Sequence, residues 1–396
     1  MKTAVHFLLV LGSLLHVTIR AQELSSDVTE LALKNADFAM SLYREIASAS
    51  DDNVFFSPLC VSSALAALST GAQGATREKI LQGLGVAPLE QDGQPERIPD
   101  LFHKLQEAVT KNEALQFDQA AALFVRQQLE VETAFSDLIK KYFGADVNKV
   151  DFANAQASKT AINEYVKSKT GGKVMEVVGT VDPQTALMLI SSVFFQGNWA
   201  LPFSTSSSPE ERFFINKYKI IQVPMMFNSD KYYLAYDPTV KMGALKLPYQ
   251  GGVAMLVLLP DKDVDYTSVD EVLTGERFLG WIKRLKKTKL EVQLPRFSLE
   301  QSYALKAVLS DLGIYNVSES ADLSGVSKEP NLSLSEMIHK AKIEVKESGT
   351  ATAETDLNTL SAPPRLIFNR PFLFVIYHEA TNSPLFMGRV IDPTKK

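Results

Sequence analysis

Apolar residues recur at helical spacing in the first third of the chain and gather into strand-like runs in the second half. Leu31, Phe38, Leu42 and Ile46 fall on one helical face, with Asp27 and Glu30 ahead of them at capping-box spacing. Residues 62–69 predict an alanine- and leucine-rich helix, and residues 76–84 a short one that ends at Gly85. Ile98, Leu101, Leu105 and Val109 trace another amphipathic helix, with Pro99 in its first turn. Residues 253–259 are continuously apolar, as a strand covered on both faces should be, and residues 290–294 run as a strand into Pro295. The polar stretches 86–96 and 204–212 predict surface loops too short to link domains, and no internal repeat stands out. Helices early and strands late predict one continuous α+β domain, not an alternating parallel sheet.

One segment breaks this pattern. Residues 347–364 are small and polar, between apolar strand-like runs at 343–345 and 372–377. Their composition cannot bury enough surface to fix a fold, which predicts an exposed loop. Yet Gly349-Thr350-Ala351-Thr352-Ala353 carries small or β-branched side chains and no proline, so it can also enter a sheet. A segment exposed in one state and sheet-compatible in another suggests a switch.

The N-terminus changes the picture of compartment. Lys2, the apolar run from Val5 to Leu15 and the small residues near Ala21 have the layout of a secretory signal peptide over residues 1–21, followed by a single domain over 22–396. Losing residues 1–21 removes Lys2 and Arg20 and takes the net charge from −5 to −7, which argues against a nucleic-acid binder. No other segment is apolar for long enough to predict a membrane span. The expected product is a secreted, extracellular monomer. Cys60 is the only cysteine, so the fold must hold without an intrachain disulfide. Asn316-Val317-Ser318 and Asn331-Leu332-Ser333 are candidate glycan acceptors, although so short a tripeptide also arises by chance.

Catalysis finds little support. No G-x-S-x-G elbow, G-x-G-x-x-G turn or P-loop occurs, and His378-Glu379 lacks the second histidine of a zincin helix. His103, His339 and His378 alone remain beyond the leader, too few for a histidine-rich metal site, so neither a metal nor another cofactor is expected. Lys283, Arg284, Lys286, Lys287 and Lys289 form a dense cationic run. It reads either as a patch for a heparin-like polyanion or as a solvated face beside Trp281.

Longer motifs carry a family resemblance. Asn53-Val54-Phe55-Phe56-Ser57-Pro58, Ile162-Asn163-Glu164-Tyr165-Val166, Phe194-Phe195-Gln196-Gly197-Asn198-Trp199 and Val223-Pro224-Met225-Met226 recur in family order. Leu245-Lys246-Leu247-Pro248-Tyr249, Leu294-Pro295-Arg296-Phe297, Phe368-Asn369-Arg370-Pro371-Phe372 and Pro384-Leu385-Phe386-Met387-Gly388-Arg389 complete the series. Over roughly residues 31–393 the chain resembles the serpins, most nearly their plasma group. The resemblance implies three β-sheets, about nine helices and an exposed reactive loop. It implies inhibition of a serine protease, in which the bait bond is cleaved, the protease is held as an acyl-enzyme and the loop enters the central sheet as a new strand.

What the resemblance implies residue by residue can be stated. Glu347, Ser348, Gly349, Thr350, Ala351, Thr352 and Ala353 would form the hinge. Ser57, Cys60, Ser191 and His339 would gate the central sheet, with Ser191 where relatives have asparagine and Cys60 where serine is usual. The residues alone allow His339 to be an ordinary buried or surface imidazole. Trp199 would cap the sheet at the point of insertion, or be simply a large core residue. The family's usual heparin helix corresponds to residues 96–111, where only Arg97, Lys104 and Lys111 are basic.

Two registers compete in the loop. Matching from the C-terminal side places the bait bond at Leu360 and Ser361, which leaves 12 residues from Gly349 to Leu360, about three fewer than inhibitory relatives. Counting from Glu347 at family spacing places it near Pro363-Pro364, a poor substrate. The longer C-terminal motif favours Leu360. Leucine there suits chymotrypsin-like, elastase-like or cathepsin G-like pockets. If Thr350 and Thr352 face inward on insertion, Glu354 and Asp356 follow on the same face, where unpaired carboxylates are costly. A short acidic loop would be harmless in a non-inhibitory serpin, a hormone carrier or peptide precursor, which stays open as the alternative.

Overall fold

The structure, a computed structural model, describes residues 25–91, 93–110, 114–204, 208–314, 321–347 and 363–396. Its strands are β1 (Val54–Phe56), β2 (Leu115–Arg126), β3 (Asp146–Val150), β4 (Leu187–Gly197), β5 (Glu210–Phe214), β6 (Ile220–Asp237), β7 (Met242–Pro248) and β8 (Val253–Pro260). β9 (Lys286–Pro295), β10 (Phe297–Ala304), β11 (Glu336–Val345), β12 (Arg365–Ile367), β13 (Phe372–His378) and β14 (Ser383–Val390) follow. Nine α-helices occur among the described residues, so the α+β expectation holds.

Five strands form one sheet in the order β10-β11-β4-β2-β3. The others run β1-β14-β13-β8-β7-β6-β9-β12, with β5 on β6. The 18-residue β6 pairs with β5 at its start, β9 through its middle and β7 at its end, so two sheets share one continuous strand. β8, β13 and β14 are buried at every position, which is why residues 253–259 read as unbroken apolar sequence. The five-stranded sheet packs on both faces. Leu189, Val193, Phe195 and Ile343 join the main core, while Met188, Ile190 and Phe194 meet Ile162 and Val166 of the helix Ala155–Lys169.

Local signals were legible with small displacements. The first helix spans Ser26–Ser48, and its N-cap is Ser25, whose hydroxyl accepts from the Val28 amide; Asp27 instead supplies a negative charge to the first turn. The helix expected over 62–69 begins at Pro58, because Ser57 caps it and proline suits the first helical position. The stretch 204–212 is not wholly loop, since Glu210 to Arg212 open the edge strand β5. Likewise Ala87–Leu89 is a 3-10 turn that buries Leu89. Among the described residues no helix is long and apolar enough to cross a membrane.

Candidate functional site: the seam of the five-stranded sheet

β4 and β11 lie side by side in parallel, registered from Met188 opposite Glu336 to Phe195 opposite Ile343. Each pairs with its other neighbour in antiparallel fashion, β11 with β10 and β4 with β2. A strand antiparallel to both would fit between them, replacing one parallel junction by two antiparallel ones. The chain that leaves β11 at Val345 needs only to fold back as a hairpin to present that direction. Lysines close the seam from the helix side: Lys340 Nζ donates to the Glu176 carbonyl (2.6 Å) and Lys342 Nζ to that of Lys173 (3.1 Å).

His339 and Ser191 face each other across the seam. The His339 ring is fully buried. Its Nε2 lies 2.9 Å from the Ser57 amide, which donates to it, so the proton sits on Nδ1 and points at Ser191 Oγ, 3.2 Å away. Ser57 Oγ donates to the Leu385 carbonyl (2.7 Å) and accepts from the Cys60 amide (3.2 Å) as cap of the helix Pro58–Ser69. One histidine thus ties β11 to β4 and to the start of a helix beneath the sheet. Cys60 is partly buried, and its thiol makes a weak 3.9 Å contact with Gln119 on β2. Burial pushes that thiol up to about 12, against the pull of its bond to Ser57, so it stays protonated.

Burial, only partly offset by the Ser191 bond, lowers the His339 pKa from its ordinary 6.5 to about 3. A histidine depressed in the folded state contributes stability above its unfolded pKa and loses it as pH falls toward the folded one. Between pH 6.5 and 3 the unfolded chain binds the extra proton. Acidification from pH 7 to 5 should therefore cost about 2 kcal/mol through this one group. Urea unfolding at both pH values should show that loss in the wild type and a smaller one in His339→Gln. Equal losses in the two proteins would count against the assignment.

At the end of the seam Trp199 is buried, stacks on Tyr249 with ring centroids 4.1 Å apart, and donates its indole N–H to the Lys346 carbonyl (2.9 Å). The next residue, Glu347, is also buried. Arg296 grips its carboxylate with two nitrogens, one at 3.1 Å, and the Ser208 hydroxyl donates to it at 2.5 Å. Burial opposes its charge, but the Arg296 and Ser208 bonds win and hold it below the usual carboxylate range. Lys346 and Glu347 are therefore clamped at the last described positions before the loop. Sequence reasoning named Trp199 and Glu347 but missed Arg296 and Ser208. Arg296 stands 51 positions from its partner in the chain, and no local pattern links them.

The remaining expected residues scatter. Ser348, Gly349, Thr350, Ala351, Thr352 and Ala353, with Leu360, Ser361 and Asn316, lie outside the described residues. Asn331 is exposed with φ +58°, a left-handed turn that asparagine tolerates. The cationic run divides. Lys283 and Arg284 end the helix Gly275–Arg284, where the Arg284 guanidinium bonds Asp237 at 3.0 Å, whereas Lys286, Lys287 and Lys289 lie on β9. Arg97 and Lys104 are held by Asp27 (2.9 Å) and Asp100 (2.6 Å), which leaves little charge for a polyanion on that helix. Among the described residues no group of acids, histidines and cysteine is placed to hold a metal.

Comparison with known proteins gives a consistent picture. The family model described as Serpin (serine protease inhibitor) matches residues 33–393. The protein Z-dependent protease inhibitor of Pongo abelii is 35% identical over 375 residues, covering 94% of this chain and 84% of that relative. The crystal structure of the mouse protein-Z dependent protease inhibitor superposes with a TM-score of 0.87 at 34% identity, over 93% of this chain and 98% of that one. Human thyroxine-binding globulin, solved with its ligand, superposes with a TM-score of 0.86 at 31% identity, over 93% and 100%.

Proposed function

Since the chain belongs to the serpin family, we propose that it is a secreted inhibitor of a serine endopeptidase, acting by loop cleavage, acyl-enzyme trapping and strand insertion at the β4–β11 seam. The carrying observation is that parallel seam, closed by hydrogen bonds yet matched to one further antiparallel strand. The clamp on Lys346 and Glu347 supports the reading, because it fixes where a hinge would turn while the chain beyond is drawn in. Leu360 is the residue the protease would read, and the signal peptide and the glycan on Asn331 or Asn316 belong to the same proposal.

A second reading has an observation of its own. Thyroxine-binding globulin, solved with thyroxine bound, has the same fold, and a loop carrying Glu354 and Asp356 suits a serpin that does not insert readily. Incubation with chymotrypsin separates the two on a denaturing gel. A stable band of summed mass supports the inhibitor; clean nicking supports the carrier. Leu360→Arg should move reactivity to trypsin-like enzymes, whose primary pocket holds a carboxylate, by about 100-fold or more in association rate. Mass spectrometry of the nicked chain checks the register: a C-terminal fragment beginning anywhere but Ser361 overturns it.

A further inference from the structure

The hairpin that joins β5 to β6 carries apolar surface that the core does not use. Among the described residues seven large apolar side chains are exposed, and three of them, Phe214, Tyr218 and Ile220, stand on this one turn. Phe214 lies directly opposite Ile220 in the ladder, so both side chains leave the same face, where they remain 38% and 49% exposed. Tyr218 at the tip is 85% exposed. A single apolar residue at a surface is ordinary, but three on so short a stretch of chain form a patch.

The tip is held in shape. Asn216 Oδ1 accepts from the Tyr218 and Lys219 amides, each at 2.9 Å, and the Ile215 amide donates to the Lys219 carbonyl (3.0 Å). Phe213 and Val223 are buried on the opposite face and fasten the hairpin to the core. Charge is sorted along it. Arg212 is exposed on the face of Phe214, and exposed Lys217 sets its ammonium 4.9 Å from the Tyr218 ring centroid. Lys219, on the other side of Tyr218, is 57% exposed and makes a long 3.5 Å pair with the buried Asp392. The acids Glu210 and Glu211 sit at the far end of β5.

We propose that this hairpin, from Phe214 to Ile220, docks the protein on an anionic phospholipid surface, whether or not it traps a protease. An exposed tyrosine suits the headgroup layer, where its ring meets acyl chains and its hydroxyl stays wet. Phe214 and Ile220 would follow it into the boundary, while Lys217 and Lys219 reach back to lipid phosphates along their apolar stems. The cations around the tip complement a negative membrane, and the acids at the far end of β5 are kept from it. Shape favours lipid over a protein partner. The end of a two-stranded hairpin, with strands about 5 Å apart, offers far less than the ~800 Å² per partner of an ordinary protein interface. A fluid headgroup layer closes around so convex a tip.

Vesicle flotation tests it. At low salt the full chain should bind vesicles of phosphatidylserine and phosphatidylcholine in equal parts about tenfold better than phosphatidylcholine alone, and the excess should shrink toward physiological ionic strength. Lys217→Gln with Lys219→Gln should remove that preference. Tyr218→Ser with Ile220→Ser should weaken binding to the mixed vesicles about tenfold. All these positions are exposed, so both variants should melt with the wild type. Tyr218→Trp gives a readout independent of the amount bound, since its emission should shift to the blue when mixed vesicles are added. Wild-type protein that floats no better with mixed vesicles than with phosphatidylcholine overturns the proposal. So does equal flotation of the serine variant, which would place the lipid contact elsewhere, or a Tyr218→Trp emission that does not move. Self-association without lipid that the serine variant abolishes would assign the tip to a second copy of the chain, and likewise overturns it.

Discussion

Replacement of Thr350 by arginine is expected to turn the protein from a trap into a substrate. The loop would still be cut, because the bait lies ten residues further on. Strand entry, however, would carry an unpaired guanidinium toward the interior on the face that the register assigns to Thr350. A penalty of about 4 kcal/mol on insertion slows it by roughly a thousandfold, enough for deacylation to win the race. Gel analysis with chymotrypsin should then show the nicked chain and no stable complex. Complex formation equal to wild type would remove insertion from the mechanism of this protein.

Cleavage within residues 350–361 is expected to raise thermal stability sharply. A new strand in the β4–β11 seam converts one ladder into two and adds backbone hydrogen bonds worth about 1 kcal/mol each. Eight or so such bonds would shift the melting midpoint by on the order of 10–20 °C. Glu354 and Asp356 work against this gain, since each costs several kcal/mol if it is buried ionised and unpaired. Replacing both by alanine should enlarge the shift and raise the fraction of protease trapped over that turned over. Melting curves before and after limited proteolysis, for both proteins, check it. No stabilisation in either supports the carrier reading. Equal stabilisation in both shows that the two carboxylates never enter the sheet.

The elements that could be read from sequence are those whose signal is local. The apolar face of Leu31, Phe38, Leu42 and Ile46, the doubly buried β8 and the amphipathic helix Arg97–Thr110 all follow from side-chain periodicity within one element. The helix Pro58–Ser69 begins four residues before the sequence pattern suggests because its start is set by Ser57, whose own partners His339 and Leu385 lie 282 and 328 positions away. The same reason hides the grip of Arg296 on Glu347. The family resemblance pointed to His339, Ser191 and Trp199, but not to the tautomer of His339 or the carbonyl that Trp199 binds. Those follow only once β11 and β4 are side by side. The division of the cationic run between a helix end and β9 was equally invisible, because a charge count does not reveal which face each lysine occupies.

Trp199 also makes the protein its own optical reporter. The chain has two tryptophans, and Trp281, on the helix Gly275–Arg284, is buried with its N–H bound to Asp237 at 2.7 Å and not to any residue of the seam. Any rearrangement that pulls Lys346 from the indole of Trp199 or shifts it on Tyr249 changes the emission of one chromophore while the other stays constant. The time course of any such rearrangement can therefore be followed in unlabelled protein, with Trp281 as internal reference and Trp199→Phe as the blank.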